Sequence, residues 1–189
     1  MKRQKIKYLS EDDKKKLLGV LKDRKSAERD YFIFNLMFNT GLRVSELASL
    51  TVGHLRTRNT LEILGKGKKL RDIPLNTVIM KHIEQYFKIK QRRKEGLMDD
   101  APLFISRNHK RLSVRAIQRA LDKWLKEANV QTKYSPHALR HTFGTELFSR
   151  CKNIRLVQDL MGHADISTTM VYTHVSKVEM QEAVELLAQ

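Results

Sequence analysis

Residues 136–172 read PHALRHTFGTELFSRCKNIRLVQDLMGHADISTTMVY, and the punctuation of this stretch decides the fold. Pro136 suits the first turn of a helix, where its missing N–H is not needed, and that helix is expected to run to about Arg150. Asn153 is placed to cap a second helix, 154–161, which Gly162 ends. Ser167 is a candidate cap for a further helical segment that includes Tyr172. Short helices separated by polar caps and glycine point to a mainly helical architecture. The same stretch carries His137, Arg140, His163 and Tyr172, residue types that a folded core does not need at these places.

Working toward the N-terminus, residues 113–128 read as a helix with Ile117, Leu121, Trp124 and Leu125 on one face. Residues 103–105 are a candidate third short strand, turning at 106–110. A long helix is expected over 76–94, its far half, 88–94, strongly basic. Residues 60–64 and 69–73 read as two strands joined by the turn Gly65-Lys66-Gly67-Lys68 and stopped by Pro74, a β-hairpin with a basic tip. Residues 44–50 form a short helix. The helix expected over 27–39 is so rich in Phe, Tyr, Leu and Met that it reads as the central core helix, with Gly41 as its left-handed cap. Ser10 and the acids Glu11, Asp12 and Asp13 start the first helix, which buries Leu17, Leu18 and Leu21. A last helix closes the chain at about 177–187. The expected fold class is mainly α with a small antiparallel β-sheet (α+β), as a single domain over 1–189 with a basic arm at 1–9. No internal repeat or long linker interrupts it.

Charge narrows the function. The 189 residues hold 37 Lys and Arg against 21 Asp and Glu, a net charge of +16. That excess favours a polyanionic partner, either nucleic acid or an anionic membrane surface. No apolar run reaches the roughly 18 residues of a membrane span. The basic N-terminus, 1–7, is not followed by the apolar stretch of a signal peptide. Cys151 is the one cysteine, which excludes an internal disulfide and suits a reducing compartment. A cytoplasmic protein is expected.

The residue types fit the chemistry of a phosphodiester. An enzyme without metal must neutralise the non-bridging oxygens, supply a nucleophile and protonate the leaving oxygen. Arg43, in the run Thr40-Gly41-Leu42-Arg43-Val44-Ser45-Glu46-Leu47, and Arg140 are candidates for the first task, because a planar guanidinium grips two oxygens and keeps its charge. His137 and Arg140 stand at i and i+3, side by side on one helix face. His163 follows Gly162, whose missing side chain lets a phosphate approach the backbone. Tyr172 is a candidate nucleophile, helped by a cationic pocket that lowers its pKa. Lys66 at the hairpin tip is a candidate general acid, in competition with Lys68 and Lys69. Taken singly, each residue also has a structural reading: a surface arginine, a solvated His-x-x-Arg face, a helix-terminating histidine, a half-buried core tyrosine. Their order and spacing carry the specificity.

In that order and spacing the sequence resembles the tyrosine recombinases, the phage integrase family, related in mechanism to type IB topoisomerases. The matching stretches are 40–47, Gly65-Lys66-Gly67 with Asp72-Ile73-Pro74-Leu75, 137–142, Leu160-Met161-Gly162-His163, and Ile166-Ser167-Thr168-Thr169 through Tyr172-Thr173-His174. The resemblance implies the integrase catalytic-domain fold and a site-specific recombinase. It implies that Arg43 and Arg140 bind the scissile phosphate, with His137 and His163 hydrogen-bonding to it. Lys66 would protonate the departing 5′ oxygen and Tyr172 would form a 3′-phosphotyrosine link, reversed by a 5′-hydroxyl of a partner strand. Glu46, the acid of the arginine motif, would orient Arg43. No cofactor is implied, neither ATP nor metal. The implied partners are double-stranded DNA and further copies of the chain, as a tetramer on paired DNA sites that passes through a Holliday junction.

Two departures accompany the resemblance. Most members carry a separate N-terminal helical domain, for which the residues before Thr40 are too few. A catalytic fragment and a short natural form, like the fimbrial phase-switch recombinases, both fit. Glu146 stands where many members have histidine, and only packing consequences are expected there. The helix at 177–187 is suited equally to packing on its own domain or on a neighbouring subunit. Two other function classes compete: a non-enzymatic DNA-binding protein on the same fold, and a basic RNA-binding module, for which aromatic stacking motifs are lacking.

Overall fold

The computed structural model describes residues 7–22, 24–56, 59–65 and 70–162. In chain order they form α1 (Glu11–Lys22), a 3₁₀ turn (Lys25–Ala27), α2 (Glu28–Thr40), α3 (Val44–Ser49), α4 (Gly53–Arg56), β1 (Thr60–Leu64), β2 (Leu70–Pro74), α5 (Thr77–Arg92), α6 (Val114–Glu127), α7 (Pro136–Cys151) and α8 (Ile154–Met161). The result is a helical body with one two-stranded antiparallel sheet. Among the described residues no helix is long and apolar enough to cross a membrane. The segment expected to carry Ser167, the helix at 177–187 and the hairpin tip at 66–69 lie outside the described residues.

α2 is the centre of the core. Its residues Phe32, Ile33, Phe34, Leu36, Met37 and Phe38 are all buried. A helix apolar on nearly every side must be surrounded, and α1, α5 and α7 do this. Gly41 ends it at φ +61° with its N–H bonded to the Met37 carbonyl. A side chain at Gly41 would also collide with the Phe143 ring of α7, so the glycine both turns the chain and lets α7 close in. On α6, the expected face of Ile117, Leu121, Trp124 and Leu125 is buried, and Trp124 Nε1 donates to Asp30 Oδ2 of α2 at 2.8 Å.

Local chemistry sets the element ends. Ser10 accepts from the Asp13 N–H, Asn76 from Ile79, Ser113 from Ala116 and Asn153 from Leu156; each side-chain oxygen satisfies an N–H that the first helical turn leaves open. Upstream of α1, Leu9 is buried and its N–H donates to Thr142 Oγ1 on α7.

The basic run at 88–94 divides. Lys90 turns wholly inward, where Glu95 and the carbonyls of Leu103 and Pro102 take its ammonium. Arg92 and Arg93 both reach Glu28 of α2.

Residues 103–105 do not form the third strand that their composition suggests. Leu103 N–H donates to the Leu50 carbonyl, while the Phe104 carbonyl accepts from Leu112 N–H. The backbone thus bonds to a different segment at each successive residue, and only isolated bridges, Thr51 to Pro102 and Ile105 to Arg111, flank it. Leu103 and Phe104 are both buried, which the alternation of a pleated strand does not permit on one covered face.

Candidate active site

The site is assembled at the C-terminal end of α8. Helix ends leave carbonyl oxygens without intrahelical partners and carry partial negative charge. Three successive carbonyls here accept from three different arginines. Arg71 Nε donates to Leu160 O at 3.3 Å, Arg140 Nη2 to Met161 O, and Arg43 Nη2 to Gly162 O at 3.2 Å. Gly162 permits this by turning the chain at φ +61°.

Each arginine comes from a different element. Arg43 is the N-cap residue of α3, directly after the turn at Gly41. Arg140 projects from α7 and is 1% exposed; its Nη1 donates to Gly41 O at 2.5 Å, locking it to the loop that presents Arg43. Arg71 lies on β2. The hairpin register pairs Leu61 with Ile73 and Ile63 with Arg71, and cross-strand partners share a face. Leu61, Ile63 and Ile73 are buried, so Arg71 points to the protein side and not to solvent.

Glu46 is the carboxylate common to two of them. It accepts from Arg43 Nη1 at 2.9 Å and from the Arg43 backbone N–H at 2.8 Å. It also accepts from Arg71 Nη1 at 3.0 Å and Nη2 at 2.8 Å, a two-pronged pair. Burial works against its ionisation, but the hydrogen bonds from Arg71 and from Arg43 outweigh it together and hold the carboxyl down to about 2. Glu46 is therefore a fixed anion at neutral pH, and Arg43 remains the more accessible guanidinium of the pair, its side chain 31% exposed against 9% for Arg71.

His137 stands one turn before Arg140 on α7. Desolvation lowers its pKa below the usual histidine value, and the positive charges of Arg140 and Arg43 lower it further. Both guanidiniums thus lie near enough to act on the same imidazole. His141 packs edge-on against His137, ring centroids 4.5 Å apart. A cavity of about 680 Å³, lined by Lys7, Lys133, Tyr134, His137 and His141 among others, opens beside them. An arrangement of fixed guanidiniums with a neutral imidazole at its edge is suited to gripping an anion with delocalised charge. Among the described residues no three His, Cys, Asp or Glu side chains cluster as a metal site.

Of the residues singled out in the sequence, Arg43, Glu46, His137 and Arg140 come together; Lys66, His163 and Tyr172 lie outside the described residues. Arg71 escaped the sequence reading because it sits in a run of basic residues that resembles a solvated hairpin. The signal for it was the strand alternation, which sets it on the face of Ile73.

Comparison with known proteins places this geometry. A family model described as the phage integrase family matches residues 7–179. The tyrosine recombinase XerC of Caldanaerobacter subterraneus subsp. tengcongensis is 43% identical over 179 residues, which are 94% of this chain and 50% of that protein. The crystal structure of XerA recombinase is 31% identical with a TM-score of 0.78, covering 96% of this chain and 65% of that one. The XerH site-specific recombinase, in a pre-cleavage complex with its difH substrate, has the same fold, with a TM-score of 0.80 at 24% identity over 97% of this chain and 55% of that one. This chain spans half the length of the XerC relative. With nearly all of its residues inside the family match, the chain belongs to the phage integrase family, as a tyrosine recombinase catalytic domain.

Proposed function

We propose that this chain acts as one catalytic domain that cleaves and rejoins double-stranded DNA at specific sites through a 3′-phosphotyrosine intermediate. The phenolic oxygen of Tyr172 gives up its proton and attacks the scissile phosphorus as a phenolate, and the bond from phosphorus to the 5′ oxygen breaks. Lys66 delivers the proton that the 5′ oxygen needs. Arg43 and Arg140 neutralise the non-bridging oxygens, His137 and His163 hydrogen-bond to them, and Glu46 orients Arg43. A 5′-hydroxyl of a partner strand then attacks the tyrosyl ester and releases Tyr172. The phosphoester energy is retained in the ester, so the chemistry needs neither ATP nor metal. Self-association to a tetramer on paired DNA sites supplies the partner strand.

The observation that carries this reading is the meeting of Arg43 and Arg140, remote in sequence, on the adjacent carbonyls of Gly162 and Met161, with His137 under the influence of both. The net charge of +16 supplies the long-range attraction to a polyanion. XerH, which shares the fold, is bound to a DNA substrate.

The test is covalent capture. Nicked duplexes with randomised sequence across the nick are incubated with the protein, and detergent-stable adducts are recovered and sequenced. Wild type is expected to enrich a defined sequence, and Tyr172→Phe to give no adduct. Binding by both proteins without any adduct would instead identify a non-catalytic DNA-binding protein.

A further inference from the structure

We infer that Arg71 is a positioning residue: it holds Glu46, and through it Arg43, in register with the last turn of α8. The inference rests on the proposed strand-cleavage reaction and adds a residue to which that reaction assigns no role.

Arg71 is the most enclosed partner of Glu46. Its guanidinium uses all three nitrogens, Nη1 and Nη2 on the Glu46 carboxylate and Nε on the Leu160 carbonyl. Its side chain is 9% exposed, so it has little surface to offer DNA. It is packed so tightly beneath the turn that a Cβ at Gly162 would lie 2.9 Å from Arg71 Cδ and 3.1 Å from Nη1. One residue of β2 therefore touches the carboxylate that orients Arg43 and the turn that accepts from Arg43. Among the described residues, Glu46 without the fork of Arg71 keeps only Arg43 as its partner. A carboxylate with one guanidinium partner can follow that guanidinium as it moves; one clamped from the opposite side cannot. Arg43 is the less buried of the two, so it is the member whose position depends on the clamp.

The role separates from a phosphate contact and from simple folding by substrate chemistry. A methylphosphonate replaces one non-bridging oxygen by a methyl group, leaving a scissile centre without negative charge. Precise placement of an arginine matters less on such a centre, whereas general damage to the domain matters equally on both.

The experiment measures single-turnover adduct formation by wild type, Arg71→Met and Arg71→Lys. The substrates are the nicked duplex enriched by covalent capture and its scissile methylphosphonate counterpart; duplex affinity and melting temperature are read in parallel. On the phosphodiester both variants are expected to be slower than wild type by about 10- to 100-fold, the usual cost of a small misplacement at a reacting centre. Duplex affinity is expected to stay within about threefold, because the interaction lost is one made in the transition state. On the methylphosphonate the deficit is expected to shrink at least several-fold relative to wild type. Arg71→Lys keeps the charge and most of the volume, so it reports on the fork even if Arg71→Met does not fold. The inference is overturned if either folded variant cleaves at the wild-type rate, or if its deficit is equal on both substrates. If wild type itself forms no adduct, it is the strand-cleavage reading that falls.

Discussion

The guanidinium of Arg43 donates to the carbonyl oxygen of Gly162 at 3.2 Å, across 119 residues of sequence. This bond ties the turn after α2 to the turn after α8, two loops that each depend on a glycine with φ of +61°. The cationic site is thus built on the ends of helices whose bodies are fixed by the core, which keeps its arginines on rigid supports.

Gly162→Ala tests that support. Alanine pays for the left-handed conformation with about 1–2 kcal/mol. Its methyl would also meet Arg71 Cδ at 2.9 Å, in the middle of a held side chain. We expect a loss of about 1–3 kcal/mol in thermal or denaturant unfolding, and a larger proportional loss of adduct formation than of DNA affinity. An unchanged melting temperature would show that the turn relaxes without strain.

Glu46 gives the fold an acid-sensitive component. Its carboxyl is held at about 2 in the folded protein against an ordinary value of 4.5. A depressed carboxyl stabilises the fold above its unfolded value, and the contribution is lost as pH falls through the folded value. The window therefore runs from about 4.5 down to about 2, and the contribution is on the order of 3 kcal/mol. Glu46→Gln is expected to be less stable than wild type at neutral pH, with the gap closing across that window. Urea unfolding at a series of pH values checks it; a gap that stays constant with pH would remove Glu46 as the source.

His137 is expected to be neutral at pH 7. Desolvation, then Arg140 and Arg43, lower its pKa from 6.5. The sign is the same as for a depressed acid: the unfolded chain takes up the proton first, so this contribution to stability is lost as pH falls from 6.5 through the folded value. An anion seated between the arginines opposes their effect and should raise the imidazole midpoint. NMR titration of the His137 ring is expected to give a midpoint below 6.5 in the free protein and an upward shift with duplex DNA. A midpoint indifferent to DNA would place the phosphate elsewhere.

Features encoded in a few adjacent residues were legible before the structure. The apolar run of α2, the caps Ser10 and Asn153 and the glycine ends at Gly41 and Gly162 depend on near neighbours, and they stand where the sequence puts them. Arg43, Glu46, His137 and Arg140 were legible because their spacing is that of a known family. What was not legible depends on distant chain. The short helix α4 begins where Val52 and Gly53 N–H groups meet the carbonyls of Ala101 and Asp99. Residues 103–105 have strand-like composition but divide their backbone bonds between two segments. Arg71 needed the hairpin register before its inward face could be recognised.

Glu146 offers a last check, because there the sequence departs from what many family members carry and only packing consequences were expected. In the structure Glu146 forms an ion pair with Lys14 at 2.6 Å, joining α7 to α1. The side chains are 37% and 21% exposed, so solvent screens the pair and its worth is at most about 1 kcal/mol. Lys14 also lies over the Phe38 ring, 4.9 Å from its centroid, and this contact survives loss of the carboxylate. Glu146→Ala is therefore expected to lower stability by about 1 kcal/mol or less, and by less still at high salt. Adduct formation should stay within about threefold of wild type, since the ion pair of Glu146 is made with Lys14, outside the arginine cluster, and distant substitutions act independently. Melting temperatures at low and high salt, together with adduct rates, measure both. A large catalytic loss at unchanged stability would give Glu146 a part in the reaction that its pairing with Lys14 does not explain.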